Sequence, residues 1–342
     1  MLKDLSLEER LWITASDVPE TKTDWLWWPY IAAEHINIIA GMGNEGKGLV
    51  CMHLAACVTK GRAFPLCAEK HEPGNVLWCE MEDDISSTII PRMKAAGCDM
   101  QRIKILNPDE FLKISNQQHV EILENAIEDF QPRLIVLSPM NSFLGPININ
   151  SEVEVRAAFE RLRMPTVGTG CAIIGIAHAN KKTELSAIER ISGSVAYVNY
   201  CRSVILVTAE NDQTRRFIHG KWNNSTKSPD LLYTPYYNGT DPRKRDQHVR
   251  LKWDAPLNDV DHKKAFNIPT EAEADKEKAP QWLERILQEK GPMAIAELKE
   301  LCAKAGFKWR AVEVARQRMN ERNDETYIDS LDSIWTLAKR SR

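Results

Sequence analysis

The stretch Ile36–Val50 combines residue types suited to binding a phosphate chain: a short apolar strand, a glycine-rich turn and the start of a helix. Gly41, Gly43 and Gly46 allow backbone dihedrals that side chains disfavour, so successive N–H groups can curve around an anion. Lys47 adds a point charge suited to the β- and γ-phosphates of a nucleotide. Together these residues predict a phosphate-binding loop.

The helix after this loop is predicted from Leu49 to Thr59, and its N-terminal end would direct a positive dipole at the same phosphates. In the usual pattern the residue after the lysine is Ser or Thr, whose hydroxyl binds Mg²⁺. This chain has Gly48 there, so one magnesium ligand is missing. The loop residues assigned to nucleotide binding are Gly41, Met42, Gly43, Asn44, Glu45, Gly46, Lys47, Gly48 and Leu49.

Several carboxylates follow the second predicted strand, Asn75–Cys79, in the order Glu80, Glu82, Asp83 and Asp84. The carboxyl end of a strand lies at the edge where open α/β sheets bind their ligands. The alternative is the start of a helix, where acidic residues suit the helix dipole. We favour a functional role for Glu82 and leave both interpretations open for Glu80.

The apolar run Pro132–Ser138 is typical of a strand that is buried on both faces. In a fold that binds nucleoside triphosphates, this strand would end in an aspartate that holds the water shell of Mg²⁺. The chain has Ser138 at this position. A second magnesium-associated side chain is therefore missing.

Another buried strand, Cys171–Ala177, is predicted to end at His178. A histidine at a strand end is often only structural. The polar stretch that follows contains Lys181, Lys182 and Arg190 and is predicted to be a basic loop, which favours a functional role for His178.

Strands and helices alternate over most of the first 240 residues, which predicts a doubly wound α/β sheet. Three later strands, Val204–Val207, Arg216–Lys221 and Asp230–Tyr236, are predicted to form an antiparallel edge. A length of 342 residues predicts two domains. The net charge of −3 does not indicate a polyanion partner for the whole molecule.

The eight cysteines lack metal-ligand spacing, which favours buried free thiols in a reducing cytoplasm. No segment reaches the roughly 20 consecutive apolar residues of a membrane span, and the first ten residues have no apolar signal-peptide block. The sequence therefore predicts a cytoplasmic protein with no membrane partner and no dedicated metal centre.

The last part of the chain contains three helical patterns, Pro280–Glu289, Ile295–Lys304 and Trp309–Met319, followed by a hairpin over Thr326–Leu337. Three helices and a hairpin in about sixty residues form the outline of a winged helix. The third helix is predicted to expose basic side chains to DNA, although a solvated charged face would have the same composition. These side chains are Arg310, Arg316 and Arg318.

Five ordered features resemble the RepA-like branch of the RecA-type P-loop ATPases, which are plasmid, phage and mobile-element replication proteins. The features are Trp25–Trp27, Gly41–Leu49, Val76–Asp84, Leu134–Gly145 and Ala172–Lys182. The resemblance implies a lead-in segment (1–35), a RecA-like domain with a mostly parallel central sheet (36–255), a linker (256–278) and a winged-helix-like domain (279–342).

The resemblance also implies roles for individual residues. Glu82 would polarise the attacking water, and His178 would sense the γ-phosphate or the DNA. Arg202 and Lys221 would be inserted into the site of a neighbouring subunit. This arrangement requires a homo-oligomer, either a ring such as a hexamer or a filament. The basic loop with Lys181, Lys182 and Arg190 would face DNA in a central channel.

Three hypotheses remain at this point. The first is a DNA-associated ATPase, helicase-like or loader-like, that uses ATP and Mg²⁺ in the replication or maintenance of a mobile element. The second is a nucleotide-binding regulatory or assembly module with little or no hydrolysis, which Gly48 and Ser138 favour. The third is an adaptor that binds single- or double-stranded DNA through the winged helix.

Overall fold

The computed structural model describes residues 12–179, 191, 195–223, 225, 228–237, 249–257, 271–305, 307, 309–321, 326–331 and 333–339. The chain divides into two compact units, Met1–Asn267 and Ile268–Arg342.

The first unit alternates strands and helices along the chain. Its strands are β1 (Trp25–Trp27), β2 (Ile31–Ala32), β3 (Ile36–Gly41), β4 (Asn75–Glu80), β5 (Ile103–Ile105), β6 (Pro132–Ser138), β7 (Ala172–His178), β8 (Ser203–Ala209), β9 (Arg215–Trp222), β10 (Asp230–Tyr237) and β11 (Val249–Leu257). Its helices are α1 (Lys47–Lys60), α2 (Ile90–Ala96), α3 (Gln117–Phe130), α4 (Asn141–Leu144), α5 (Glu152–Arg163) and α6 (Val195–Tyr200).

Nine of the strands in the described part of the chain form one sheet, in the order β11-β10-β9-β8-β3-β7-β6-β4-β5. The six strands from β8 to β5 are parallel. The pairs β8–β9, β9–β10 and β10–β11 are antiparallel. The predicted α/β sheet, mostly parallel with an antiparallel edge, is therefore confirmed. Strand β3, which leads into the glycine-rich loop, lies between β7 and β8.

The sheet separates two apolar layers, because successive side chains of a strand point to opposite faces. Ile38 packs in one layer with Phe159 of α5, whereas its neighbour Ile39 packs in the other with Val50 of α1. In β6 the side chains of residues 134–137 are fully buried, which confirms the prediction for this strand. Burying a side chain of this kind contributes about 1.5–3 kcal/mol, so the layers fix the strand ends that form the site.

The segment before β3 is part of the core of the first unit. Trp27 and Tyr30 are each 1% exposed, and Trp27 packs against Phe217 and Trp253 of the antiparallel edge. The indole N–H of Trp27 donates a hydrogen bond to the carbonyl of Pro65 at 3.0 Å. These aromatic residues therefore contribute to core packing.

The second unit contains α7 (Glu271–Lys290), α8 (Ile295–Lys304) and α9 (Trp309–Glu321). Its strands β12 (Met293–Ala294), β13 (Thr326–Leu331) and β14 (Ile334–Lys339) form an antiparallel sheet in the order β12-β14-β13. The three predicted helices and the hairpin are present, although α7 begins within the stretch 256–278 that the sequence assigned to a linker.

All eight cysteines are free thiols, and all but Cys67 are buried. In the described part of the chain, no helix has both the length and the apolar character needed to cross a bilayer.

Candidate functional site

The glycine-rich loop joins β3 to α1 at the carboxyl edge of the sheet. Gly41 is required because an added Cβ would lie 2.3 Å from the carbonyl oxygen of Val207 on β8. Gly46 has a φ of +88° and precedes the first residue of α1, which is Lys47 and not the predicted Leu49. The other left-handed residue of the loop is Asn44, with a φ of 65°, whereas Gly43 has no positive φ. A turn with left-handed residues is thus present, and Asn44, not Gly43, has the positive φ before Gly46.

The ammonium group of Lys47 lies inside this loop. Its Nζ donates hydrogen bonds to the carbonyls of Gly41 at 3.0 Å and Met42 at 2.7 Å, and the residue is 6% exposed. Burial lowers the pKa of Lys47, while the nearby carboxylates of Glu45 and Glu82 act in the opposite direction. A buried cation is thus held within the curve of the loop.

The loop is also fixed to the antiparallel part of the sheet. The hydroxyl of Tyr233 on β10 donates a hydrogen bond to the carbonyl of Glu45 at 2.7 Å. Arg215 Nε lies 3.2 Å from Glu45 Oε2, an ion pair without hydrogen-bond alignment. Burial raises the pKa of Glu45, and the charges of Arg215 and Lys47 oppose this effect. Arg215 and Tyr233 belong to no motif of the loop, because they lie about 170–190 positions beyond it and reach it only through the fold.

Gly48 occupies the second position of α1, where a Ser or Thr was expected. A Cβ added to Gly48 would meet no atom within 4 Å outside its chain neighbours and the adjacent backbone of α1. The space for a hydroxyl side chain is therefore open, and packing does not require glycine here.

Glu80 and Ser138 end the neighbouring parallel strands β4 and β6 and are partners in the strand register. The hydroxyl of Ser138 donates a hydrogen bond to Glu80 Oε1 at 3.0 Å. The same oxygen accepts from the backbone N–H of Glu82 at 3.2 Å and of Asp83 at 3.4 Å, and Oε2 accepts from the indole of Trp78 at 3.2 Å. Burial raises the pKa of Glu80, and all four hydrogen bonds oppose this rise.

Glu82 and His178 meet at the same edge, although 96 positions separate them. His178 Nε2 lies 3.4 Å from Glu82 Oε2, and the two side chains are 44% and 58% exposed. His178 is also the register partner of Gly41, at the start of the loop. The fold thus brings together five residues that the sequence assigned to the site, namely Gly41, Lys47, Glu82, Ser138 and His178.

Arg202 and Lys221 lie at the end of the sheet opposite the glycine-rich loop. The backbone N–H of Arg202 donates a hydrogen bond to the carbonyl of Ile36, the first residue of β3. Arg202 is therefore about five residues, or roughly 16 Å, from the end of β8 that lies beside the loop. Lys221 Nζ donates to the carbonyls of Val198 and Asn199 in α6, and burial lowers its pKa. These positions place both cations away from the loop of their own chain.

The candidate DNA-binding residues are only partly covered by the structure. Lys181, Lys182, Arg190 and the side chain of Arg318 lie outside the described residues. Arg310 is exposed on α9, with the exposed Glu313 three residues further along the helix. Arg316 is half-buried, with its guanidinium 4.8 Å from the ring centroid of Trp335, so the prediction that α9 exposes it is wrong.

A glycine-rich loop with a buried lysine, placed between a central parallel strand and a helix, is the arrangement of a P-loop nucleoside triphosphatase. A family model described as an AAA domain matches residues 3–184, just over half of the chain. The chain belongs to this family. No curated protein matches the sequence. The matched range includes the loop, Glu80, Glu82, Ser138 and His178, but ends before Arg202, Lys221 and the second unit.

Within the described part of the chain, no three His, Cys, Asp or Glu side chains form a group that would hold a metal ion.

Proposed function

We propose that this chain is an oligomeric ATPase of the RecA-like, RepA-like type that acts on DNA in the replication or maintenance of a mobile genetic element. The observation that carries the proposal is the buried ammonium of Lys47 inside the loop, with Glu82 and His178 on the same edge of the sheet. We place its action in the cytoplasm.

ATP would bind with its phosphates in the curve of the loop. The backbone N–H groups of residues 42–48 and the N-terminal end of α1 are the donors for the phosphate oxygens. Lys47 would exchange its bonds to the carbonyls of Gly41 and Met42 for bonds to the β- and γ-phosphates. The pairing of Glu45 with Arg215 keeps the carboxylate of the loop neutralised, which limits its repulsion of the anion.

Hydrolysis would use the exposed pair of Glu82 and His178. Glu82 accepts a hydrogen bond from a water, whose oxygen attacks the γ-phosphorus as the bond to the β–γ bridging oxygen breaks. The proton of the water passes to the carboxylate and ADP leaves with the electron pair of the broken bond. His178, 3.4 Å from Glu82, orients this carboxylate and contacts the γ-phosphate.

Mg²⁺ fits this edge through oxygen ligands. The space beside Gly48 is open, and Glu80, Glu82 and Ser138 place oxygen atoms near the strand ends. Mg²⁺ readily keeps several waters, so phosphates and water can supply most of its ligands. When bound, it neutralises negative charge on the β- and γ-phosphates.

The positions of Arg202 and Lys221 support the proposed oligomer. Both lie toward the edge opposite the loop, so neither reaches the phosphates of its own chain. Arg202 is exposed and is the better candidate for insertion into a neighbour's site. A ring, such as a hexamer, or a filament places that edge against the loop of the next subunit.

The second unit supports a winged helix that contacts DNA. Its elements follow the order helix, strand, helix, helix and hairpin, and β12 pairs with β14. Arg310 is an exposed cation of α9, and the basic loop with Lys181, Lys182 and Arg190 is the second candidate contact. If these residues bind phosphates, affinity for single- or double-stranded DNA should fall steeply as salt rises.

A second candidate function is a nucleotide-binding module that orders an assembly without turnover. Gly48 and Ser138 favour it, because the two usual protein contacts to magnesium are absent. An adaptor that works only through DNA binding by the second unit is the third candidate.

Phosphate release with and without single-stranded DNA, together with separate nucleotide-binding measurements, distinguishes these candidates. Lys47→Ala should abolish binding and turnover, whereas Lys60→Ala, at the exposed end of the same helix, should change neither. Tight binding without turnover in the parent would favour the regulatory module. Equal binding by the parent and Lys47→Ala would contradict both nucleotide functions.

A further inference from the structure

The missing aspartate at the end of β6 has a counterpart on the next strand. Ser138 and Glu80 are register partners on parallel strands, which lie roughly 4.8 Å apart. Paired residues of parallel strands point to the same face of a sheet. The side chain of Glu80 therefore starts one strand away from the place that an aspartate at position 138 would occupy.

The side chain of Glu80 extends toward residue 138. Its Oε1 is 3.0 Å from the hydroxyl of Ser138, so the carboxylate lies beside the end of β6. A serine leaves room there that a longer acidic side chain would fill. The extra methylene of glutamate relative to aspartate covers part of the distance between the strands.

The carboxylate is only 5% exposed, but both of its oxygens have hydrogen-bond partners. Hydrogen bonds from Ser138, from the indole of Trp78 and from the backbone N–H groups of Glu82 and Asp83 stabilise its negative charge. Four donors directed at one buried carboxylate also fix its orientation, as the partners of a metal-ligating carboxylate do.

A charge interaction also connects Glu80 with α1. After burial, the charge of Glu80 is the largest cause that raises the pKa of the Cys51 thiol, which lies one turn beyond Lys47. The carboxylate is therefore within electrostatic reach of the first turns of the helix that contains Gly48.

We infer that Glu80 supplies the carboxylate that holds the water shell of Mg²⁺, in place of the absent acid at position 138. The inference rests on the proposed binding of ATP at the loop. Ser138 then has a positioning role, because its hydroxyl orients Glu80. The alternative is that Glu80 only closes the turn after β4 through its bonds to the N–H groups of Glu82 and Asp83.

The test measures the affinity for a fluorescent ATP analogue in the presence of Mg²⁺ and in excess EDTA. Glu80→Gln should lower the Mg²⁺ contribution to affinity by about tenfold and leave affinity in EDTA unchanged. Asp83→Asn, three residues away and paired with Arg92 on the surface, should keep the full Mg²⁺ contribution. The exchange variant Glu80→Ser/Ser138→Asp returns the carboxylate to β6 and should restore what Glu80→Gln loses.

The outcomes separate this inference from the proposed function. A parent that binds no nucleotide contradicts the proposed function and the inference together. An unchanged Mg²⁺ contribution in Glu80→Gln overturns the inference alone, as does an equal loss with Mg²⁺ and in EDTA, which indicates a purely structural role. If Glu80→Gln does not fold, the exchange variant Glu80→Ser/Ser138→Asp is the test. If this variant folds but Mg²⁺ does not increase its affinity for the nucleotide, the inference is overturned.

Discussion

The phenolic oxygen of Tyr233 lies 2.7 Å from the backbone carbonyl of Glu45 and donates a hydrogen bond to it. Tyr233 is fully buried, so its position is fixed by the core of the first unit. This bond connects the antiparallel part of the sheet to the middle of the glycine-rich loop, so it acts on the backbone proposed to surround the phosphates of ATP.

Tyr233→Phe should weaken nucleotide binding by roughly fivefold, because one neutral hydrogen bond contributes about 1 kcal/mol to holding the loop in its binding shape. Titration with a fluorescent ATP analogue measures this change. Tyr236→Phe is the matched control, since Tyr236 lies on the same strand and is 40% exposed. Equal affinities for the two variants would show that the bond does not organise the loop.

Glu82→Gln should reduce ATP turnover by about 100-fold or more and leave ATP affinity within about twofold, because the amide can no longer accept the proton of the attacking water. Steady-state phosphate release and equilibrium binding test the two parts separately. Asp83→Asn is the control: this neighbouring carboxylate is exposed and pairs with Arg92 at 3.0 Å. A similar loss of turnover in both variants would contradict the role of Glu82.

Gly48→Ser should strengthen nucleotide binding in the presence of Mg²⁺, because it adds the missing hydroxyl in a space with no atom within 4 Å. Gly48→Ala adds the same Cβ without the hydroxyl. Replacing glycine within a helix should stabilise the protein by about 0.5–1 kcal/mol in the alanine variant. Thermal unfolding and binding measurements with and without Mg²⁺ separate the two effects, and equal Mg²⁺ dependence in both variants would rule out a hydroxyl ligand.

His53 on α1 should make the first unit less stable in acid. Burial lowers the pKa of His53 from its ordinary value of 6.5 to about 4, with a smaller contribution from the charge of Arg62. The unfolded chain therefore binds a proton near pH 6.5 that the folded chain binds only near pH 4. The free energy of unfolding present above pH 6.5 is therefore lost as the pH falls from 6.5 to about 4, by an amount on the order of 2 kcal/mol.

Denaturant unfolding across this pH range measures the effect of His53. His53→Phe keeps a ring for the edge contact with Trp253 but cannot be protonated, so its stability should vary less with pH. Parallel stability curves for the parent and the variant would contradict the prediction.

Local patterns predicted much of the fold. The helix predicted to begin at Leu49 begins two residues earlier, at Lys47. The helices Gln117–Phe130 and Glu152–Arg163 each begin after a side chain that accepts a backbone hydrogen bond, Asn116 from Gln118 and Ser151 from Glu154. Strand positions were predictable where apolar runs are continuous. Helix starts were less predictable, because they depend on single capping side chains.

The site was predictable where its residues are neighbours in sequence, as in Gly41–Lys47. The bond between Ser138 and Glu80 joins residues 58 positions apart and depends on strand register, which no local pattern specifies. Arg316 was misjudged for the same reason, because its contact with Trp335 is made only after β14 pairs with its neighbours.

The packing of Trp27 and Tyr30 also limits how the protein can be divided for experiments. A fragment that began at β3 would uncover the aromatic rings of Phe217 and Trp253, which Trp27 contacts. Such a fragment would expose a continuous apolar surface and tend to aggregate. A recombinant fragment that contains the nucleotide-binding unit therefore has to start before Trp25, and a truncation at Ile36 that proved inactive would say nothing about the chemistry of the loop.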